Sequence, residues 1–331
     1  MENEKRIKNP LNPNLKKPKS VAYYLEDGTP VYKHKFKEVS VVNQRSKADK
    51  IIFGVLFAVF LIHSLTLLYP VLWLFISSFK EKMEYLVQSP FKLPDKWLFS
   101  NYALAIQSLE VRQTGFMGML FNSVWYAGVL SVETTFIPLT VGYVMSKYKF
   151  PGRTFLYTVA IISLTIPVVG STASHMKIVA SLGIYDTLIY PIITSAGGFS
   201  GSFLISYGFF KSMSWSYAEA AKIDGANATV IYFKVMLPQA IPIALTFMIT
   251  NAIGYWNEYN TIILYMPSFP TLASGLFEYK EVIRRHVNPQ LKSNFPVYYA
   301  GLCLSIIPSI VLFASASSKI FTSLSIGGLK G

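Results

Sequence analysis

Residues able to do chemistry are sparse in this 331-residue chain, and their spacing excludes most reactions. The four histidines, His34, His63, His175 and His286, fall in separate segments with no metal-ligand spacing between them. Cys303 is the single cysteine, so it has no partner for a disulfide and joins no cysteine-rich metal site. No Gly-x-x-x-x-Gly-Lys-Ser/Thr loop occurs, which leaves no recognisable cradle for the phosphates of ATP. A membrane enzyme would need a nucleophile with its base, or His, Glu and Asp at metal spacing, and neither is present. Glu133 stands inside an apolar run, where a charge is costly. It reads as a cavity or partner-helix contact, or equally as a protonated packing residue.

The most informative stretch is Glu219-Ala-Ala-Lys-Ile-Asp-Gly-Ala-Asn-Ala-Thr-Val-Ile-Tyr-Phe-Lys-Val-Met-Leu-Pro238, which reads as helix, turn, helix. Ser216 precedes Glu219 at capping-box spacing, Gly225 can take the positive φ that ends a helix, and Asn227 can cap the next one. Pro238 is expected to limit that second helix. Ala218, Ala220, Ala221 and Ala226 leave a face of low bulk suited to insertion into another protein's cleft. Ile231, Phe233, Val235 and Leu237 are expected to anchor its base. An amphipathic pair lying on a membrane surface is the plainer reading of the same pattern.

The elements that must position this stretch are membrane helices. The chain is 52% hydrophobic and only 14% charged, against about 25% charged in soluble domains. Spanning lipid takes about 20 apolar residues in a helix. Six runs qualify: Ile51–Phe79, Gly115–Met145, Thr154–Ser174, Thr187–Tyr207, Ile241–Leu264 and Pro296–Ser318. The fold expected is an all-α membrane protein of about six transmembrane helices. The segment 208–240 lies between helices four and five, and both termini are on the cytoplasmic side. Some fifty hydrophilic residues precede the first run, which reads as an uncleaved span rather than a secretory signal. Residues 1–50 form a basic cytoplasmic tail with 12 Lys and Arg against 6 Asp and Glu. This tail faces anionic lipid rather than nucleic acid, since no stacking-aromatic or helix-turn-helix pattern accompanies the charge. The short loop Lys147-Tyr-Lys-Phe-Pro-Gly-Arg153 carries three positive charges and sets the same orientation.

The stretch 219–238 resembles the EAA loop of ABC importer permeases, with Glu219, Asp224, Gly225, Phe233 and Pro238 at matching positions. Phe150-Pro-Gly-Arg153, Trp256-Asn-Glu-Tyr259 and Gly327-Gly-Leu-Lys-Gly331 resemble the carbohydrate branch of that family, so the likeness covers residues 51–331. The long N-terminal tail, Glu133 and the absence of proline in Ser212–Tyr217 depart from the pattern.

The resemblance implies a pore subunit without ATP chemistry of its own. ATP and Mg would be bound by two copies of a partner ATPase, whose groove receives Glu219, Ala220, Ala221, Asp224, Gly225 and Ala226. The other implied partners are a second homologous permease and an extracytoplasmic solute-binding protein, with a homodimeric pore left open. The cargo implied is a sugar or oligosaccharide, with a non-sugar solute as the alternative. An ion-coupled secondary transporter would want more intramembrane acids or visibly related halves. Sugars bind through hydrogen bonds and aromatic ring faces, which makes Tyr255, Trp256, Asn257, Glu258 and Tyr259, with Glu133, candidate pathway residues. The plainer reading of those aromatics is a membrane-interface belt.

Overall fold

A computed structural model describes residues 21–24, 30–32, 47–166, 170–284 and 294–327. Most of the basic tail and the terminal motif after Gly327 therefore lie outside the described residues. The chain divides into two units, Met1–Leu68 and Tyr69–Gly331.

The first unit contains an antiparallel strand pair, β1 (Val21–Tyr24) with β2 (Pro30–Tyr32), and the first part of helix α1 (Lys47–Ser78). From Ile51 to Leu68 the side chains of α1 are exposed and almost all apolar. A helix hydrophobic all round and uncovered is built for lipid.

In the second unit α1 ends at Ser78 and is followed by α2 (Lys82–Val87), α3 (Ser100–Ser108) and the short hairpin β3 (Glu110–Val111) and β4 (Thr114–Gly115). Its axis is α4 (Phe116–Lys147), whose 32 residues extend about 48 Å. Then come α5 (Arg153–Thr165), α6 (Thr172–Ser181), α7 (Ile189–Ser195), α8 (Gly201–Ser212) and α9 (Ser216–Ile223). A short α10 (Ala228–Val230) leads through a π-helical stretch, Ile231–Met236, into α11 (Leu237–Asn257). The chain closes with α12 (Asn260–Tyr265), α13 (Leu272–Arg284) and α14 (Phe295–Gly327).

Helix α11 runs antiparallel to α4. Met236, just before its start, and Ala240 are buried with Leu139 and Tyr143 near the end of α4, while Trp256 near its own end is buried with Phe116 and Met119 at the start of α4. Between them the Asn251 amide donates to Thr134 Oγ1 at 3.1 Å. That bond joins two spanning helices, so Asn251→Leu is expected to cost about 1 kcal/mol, the usual scale of an interhelical hydrogen bond in a membrane. Unfolding in detergent, compared with Asn257→Leu, whose amide only bonds back to its own helix at Ile253 O, measures it.

Among the described residues, four helices are long and apolar enough to cross a membrane: Ala48–Ser78, Phe116–Lys147, Ala228–Asn257 and Phe295–Ser315. The runs Thr154–Ser174 and Thr187–Tyr207, expected as continuous spans, are each broken. Helix α5 has only 13 residues and stops where Ile166, with φ −82° and ψ 116°, takes the extended backbone favoured before Pro167. The second run divides into α7 and α8 around Gly197 and Gly198. A Cβ on Gly198 would stand 2.8 Å from a methyl of Val141, so the break is where the chain passes closely over α4. Helix α13, amphipathic, fills part of what composition presents only as a polar segment, and burial of Leu272, Leu276 and Tyr279 explains it.

Candidate functional site

The segment 213–244 is held by a cluster in which Ala218, Ile231, Tyr232 and Met236 pack with Leu139, Tyr143 and Phe210. Tyr143 lies 5.3 Å from the Phe210 ring and 4.8 Å from the Tyr232 ring, and the Tyr232 hydroxyl is 2.6 Å from Thr140 Oγ1. The base of the segment is thereby fixed to the end of α4. Lys147 adds a second tie: its ammonium donates to the Met213 carbonyl and stands 5.9 Å from the Trp215 ring, which Lys222 approaches from α9 at 5.5 Å.

Helix α9 ends as its sequence requires. The Gly225 N–H donates to Lys222 O at 3.0 Å and the Ala226 N–H to Ala221 O at 2.9 Å, the bond pair of a Schellman motif. That motif needs a left-handed residue, and Gly225 has φ +83°. Asn227 then caps the next helix, its Oδ1 accepting from the Val230 N–H at 2.9 Å. The capping box expected from Ser216 does not form. Trp215 is the N-cap, and the Ser216 hydroxyl pairs with Ser214 Oγ at 2.8 Å instead.

The low-bulk face divides in two. Ala218, Ala221 and Ala226 turn toward the permanent core, whereas Glu219, Ala220, Lys222, Ile223, Asp224 and Gly225 are exposed. Ile223 is 87% exposed. This large aliphatic side chain stands bare beside Glu219, Asp224 and Lys222 on the capped turn. Sequence reading missed Ile223 because the alanines drew the attention; its place at the open end of α9 was the available signal.

Beyond the turn, Pro238 does not end the second helix. The π-helical stretch precedes it and the helix continues to Asn257. Proline lacks an N–H and crowds the carbonyl four residues back, and the wider π turn accommodates both demands. The same widening shifts the phase of the buried side. Ile231 is buried as expected, but Phe233 is 59% exposed while Tyr232 and Met236 point inward.

The candidate pathway residues do not converge. Trp256 is buried, and its indole N–H donates to Ser305 O of α14 at 3.0 Å. Tyr255 meets Tyr126 of α4 edge-on at 5.7 Å, and Tyr259 stacks on Phe277 of α13 at 4.6 Å. The Asn257 amide bonds within α11, and Glu258 Oε1 accepts from the Thr261 N–H at 3.0 Å. Glu133 lies seven residues beyond Tyr126 along α4, about 10 Å away, with one carboxyl oxygen buried and without a hydrogen-bond partner. Trp256→Ala is therefore expected to destabilise the fold by about 3–5 kcal/mol. Trp256→Phe should cost about 1 kcal/mol for the lost hydrogen bond. Thermal unfolding of both variants measures the difference. An intact fold with a changed apparent affinity in Trp256→Ala would instead place this ring on the transport path.

A family model described as binding-protein-dependent transport system inner membrane component matches residues 138–318, more than half the chain and including the capped turn. The chain belongs to that family. As an ABC importer permease it is a transporter subunit of the bacterial inner membrane, and ATP hydrolysis is the work of a partner subunit. The permease is 28% identical over 275 residues to the probable ABC transporter permease protein YurM of Bacillus subtilis, covering 82% of this chain and 86% of the relative. It is 27% identical over 286 residues to the diacetylchitobiose uptake system permease protein NgcG of Streptomyces coelicolor, covering 85% and 90%. Among solved structures, it superposes on a chain of a bacterial ABC transporter that imports the acidic polysaccharide alginate. That match has a TM-score of 0.66 and 26% identity, and covers 83% of this chain and 98% of the other.

Proposed function

We propose that this permease carries a sugar or oligosaccharide, delivered by a solute-binding protein, through a pore shared with a second permease subunit. The supporting observation is that a diacetylchitobiose permease and a chain of an alginate importer align along 90% and 98% of their lengths. The exposed turn Glu219–Ala226 is the surface for a groove of the partner ATPase. Two such ATPases, binding ATP and Mg, would close together and move two such turns, switching the pore between inward and outward access. In this reading both termini and the segment 208–240 are cytoplasmic. The run Thr154–Ser174, which α5 opens, and the α7–α8 pair would complete six crossings with the four long helices.

Affinity purification of the permease from native membranes in mild detergent, with mass spectrometry, is expected to recover an ABC ATPase, a second permease and a binding protein. Stimulation of ATP hydrolysis by the loaded binding protein then identifies the sugar. Repeated recovery without any ATPase, under conditions that preserve a known ABC complex, would sink the assembly. Stimulation by non-sugar solutes alone would sink the cargo.

A further inference from the structure

The segment that follows α1 is built inside out. In α2 the carboxylate of Glu84 is turned inward, accepting from the Asp95 N–H at 2.7 Å and the Glu81 N–H at 3.2 Å. Met83, Leu86 and Val87 form one helical stripe and face outward, 61%, 50% and 77% exposed. Phe91, Leu93 and Phe99 are exposed as well, while Met83 and Val87 border an open cleft with Glu81, Asp95 and Lys96. An apolar edge of that length is unfavourable in water and demands a cover.

The cover follows from depth. After leaving α1 the chain turns back along it: Trp73 Nε1 donates to Pro90 O at 3.1 Å, and the Phe91 ring lies 6.0 Å from the Tyr69 ring. Tyr69 is nine residues before the end of α1 at Ser78, which places Phe91 about 13 Å back along the helix from its end. The α1 side chains Val71, Leu72 and Phe75, close to Tyr69 in the helix, are themselves exposed. Lys92 and Lys96 and the half-exposed Trp97 add the side chains typical of a membrane interface. The Lys92 ammonium, 2.9 Å from Asp95, holds the Asp95 carboxyl below the usual carboxylate range and closes the polar side of the loop.

We propose that residues 83–99 form an interfacial membrane-seated element, its apolar edge lying in the leaflet where α1 ends. It stays at the interface because irregular backbone is not tolerated in lipid-exposed hydrocarbon. The seat is fixed to the bundle through Tyr85, whose hydroxyl is 2.8 Å from that of Tyr299 on α14 and whose ring is 5.5 Å away.

The test uses the full-length permease with its co-purifying subunits in lipid nanodiscs. In a Cys303→Ser background, Leu86→Cys, Phe91→Cys and Lys96→Cys are each labelled with a nitroxide, and relaxation by oxygen is compared with relaxation by a water-soluble nickel chelate. Oxygen is expected to dominate at positions 86 and 91 and nickel at 96. Nickel dominance at 86 and 91 would make the edge aqueous, and low access to both reagents there would mean that protein covers it. Either result overturns the proposal. The side chains at 86 and 96 are exposed, so the labels do not depend on repacking a core.

Discussion

Gly225→Val is expected to weaken both transport and co-purification of the ATPase, by roughly tenfold or more, while the chain still inserts in the membrane in normal amount. The residue sits at φ +83° with open space around its Cβ position, so the effect is purely of the backbone. An L-residue held in the left-handed region costs about 1–2 kcal/mol, and β-branching raises that. The strain is relieved by undoing the paired bonds from Gly225 and Ala226, which splays Glu219–Asp224 away from the Asn227 cap. Gly225→Asn should keep most of the coupling, because asparagine tolerates this conformation. A valine variant that transports normally and retains its ATPase would remove the turn from the proposed mechanism.

Gly142→Val is expected to prevent stable folding by a different route. A Cβ at 142 would stand 2.7 Å from Ser206 Cβ, 2.9 Å from Tyr207 N and 3.0 Å from the Ser206 carbonyl carbon, so the obstruction is largely backbone. Helices α4 and α8 touch there as small-residue crossings do in membranes. Overpacking such a site costs about 1–3 kcal/mol or more when the backbone cannot yield. Loss of monodisperse protein on detergent extraction is the expected readout. Gly208→Ala, on the same helix α8 with nothing within 4 Å, serves as the neutral control. Equal yields from the two variants would show that the crossing opens freely.

The long helices α1, α4, α11 and α14 were legible because unbroken apolar length is a composition signal. The Schellman turn was legible because its glycine and its capping asparagine are dictated by local backbone geometry. The breaks after α5 and between α7 and α8 were not, because a run of apolar residues does not tell lipid from a neighbouring helix. The phase error at Phe233 arose because a π-helical stretch obeys neither the period of a strand nor that of an α-helix. Asn251 passed as one polar residue in an apolar run, since its meaning comes from Thr134 on a helix 117 positions away in sequence. The bond of Trp256 to Ser305 was not legible either, because its partner lies 49 positions away in sequence.

The wide turn at Ile231–Met236 has a mechanical corollary. A helix wound with one surplus residue can hand that surplus to its neighbour, and each such step turns the intervening side chains by about 100° and slides them by about 1.5 Å. The stretch lies directly between the capped turn and the 21 residues of α11. A surplus passed along α11 as far as Asn251 and Trp256 would turn those side chains as a screw rather than tilt them.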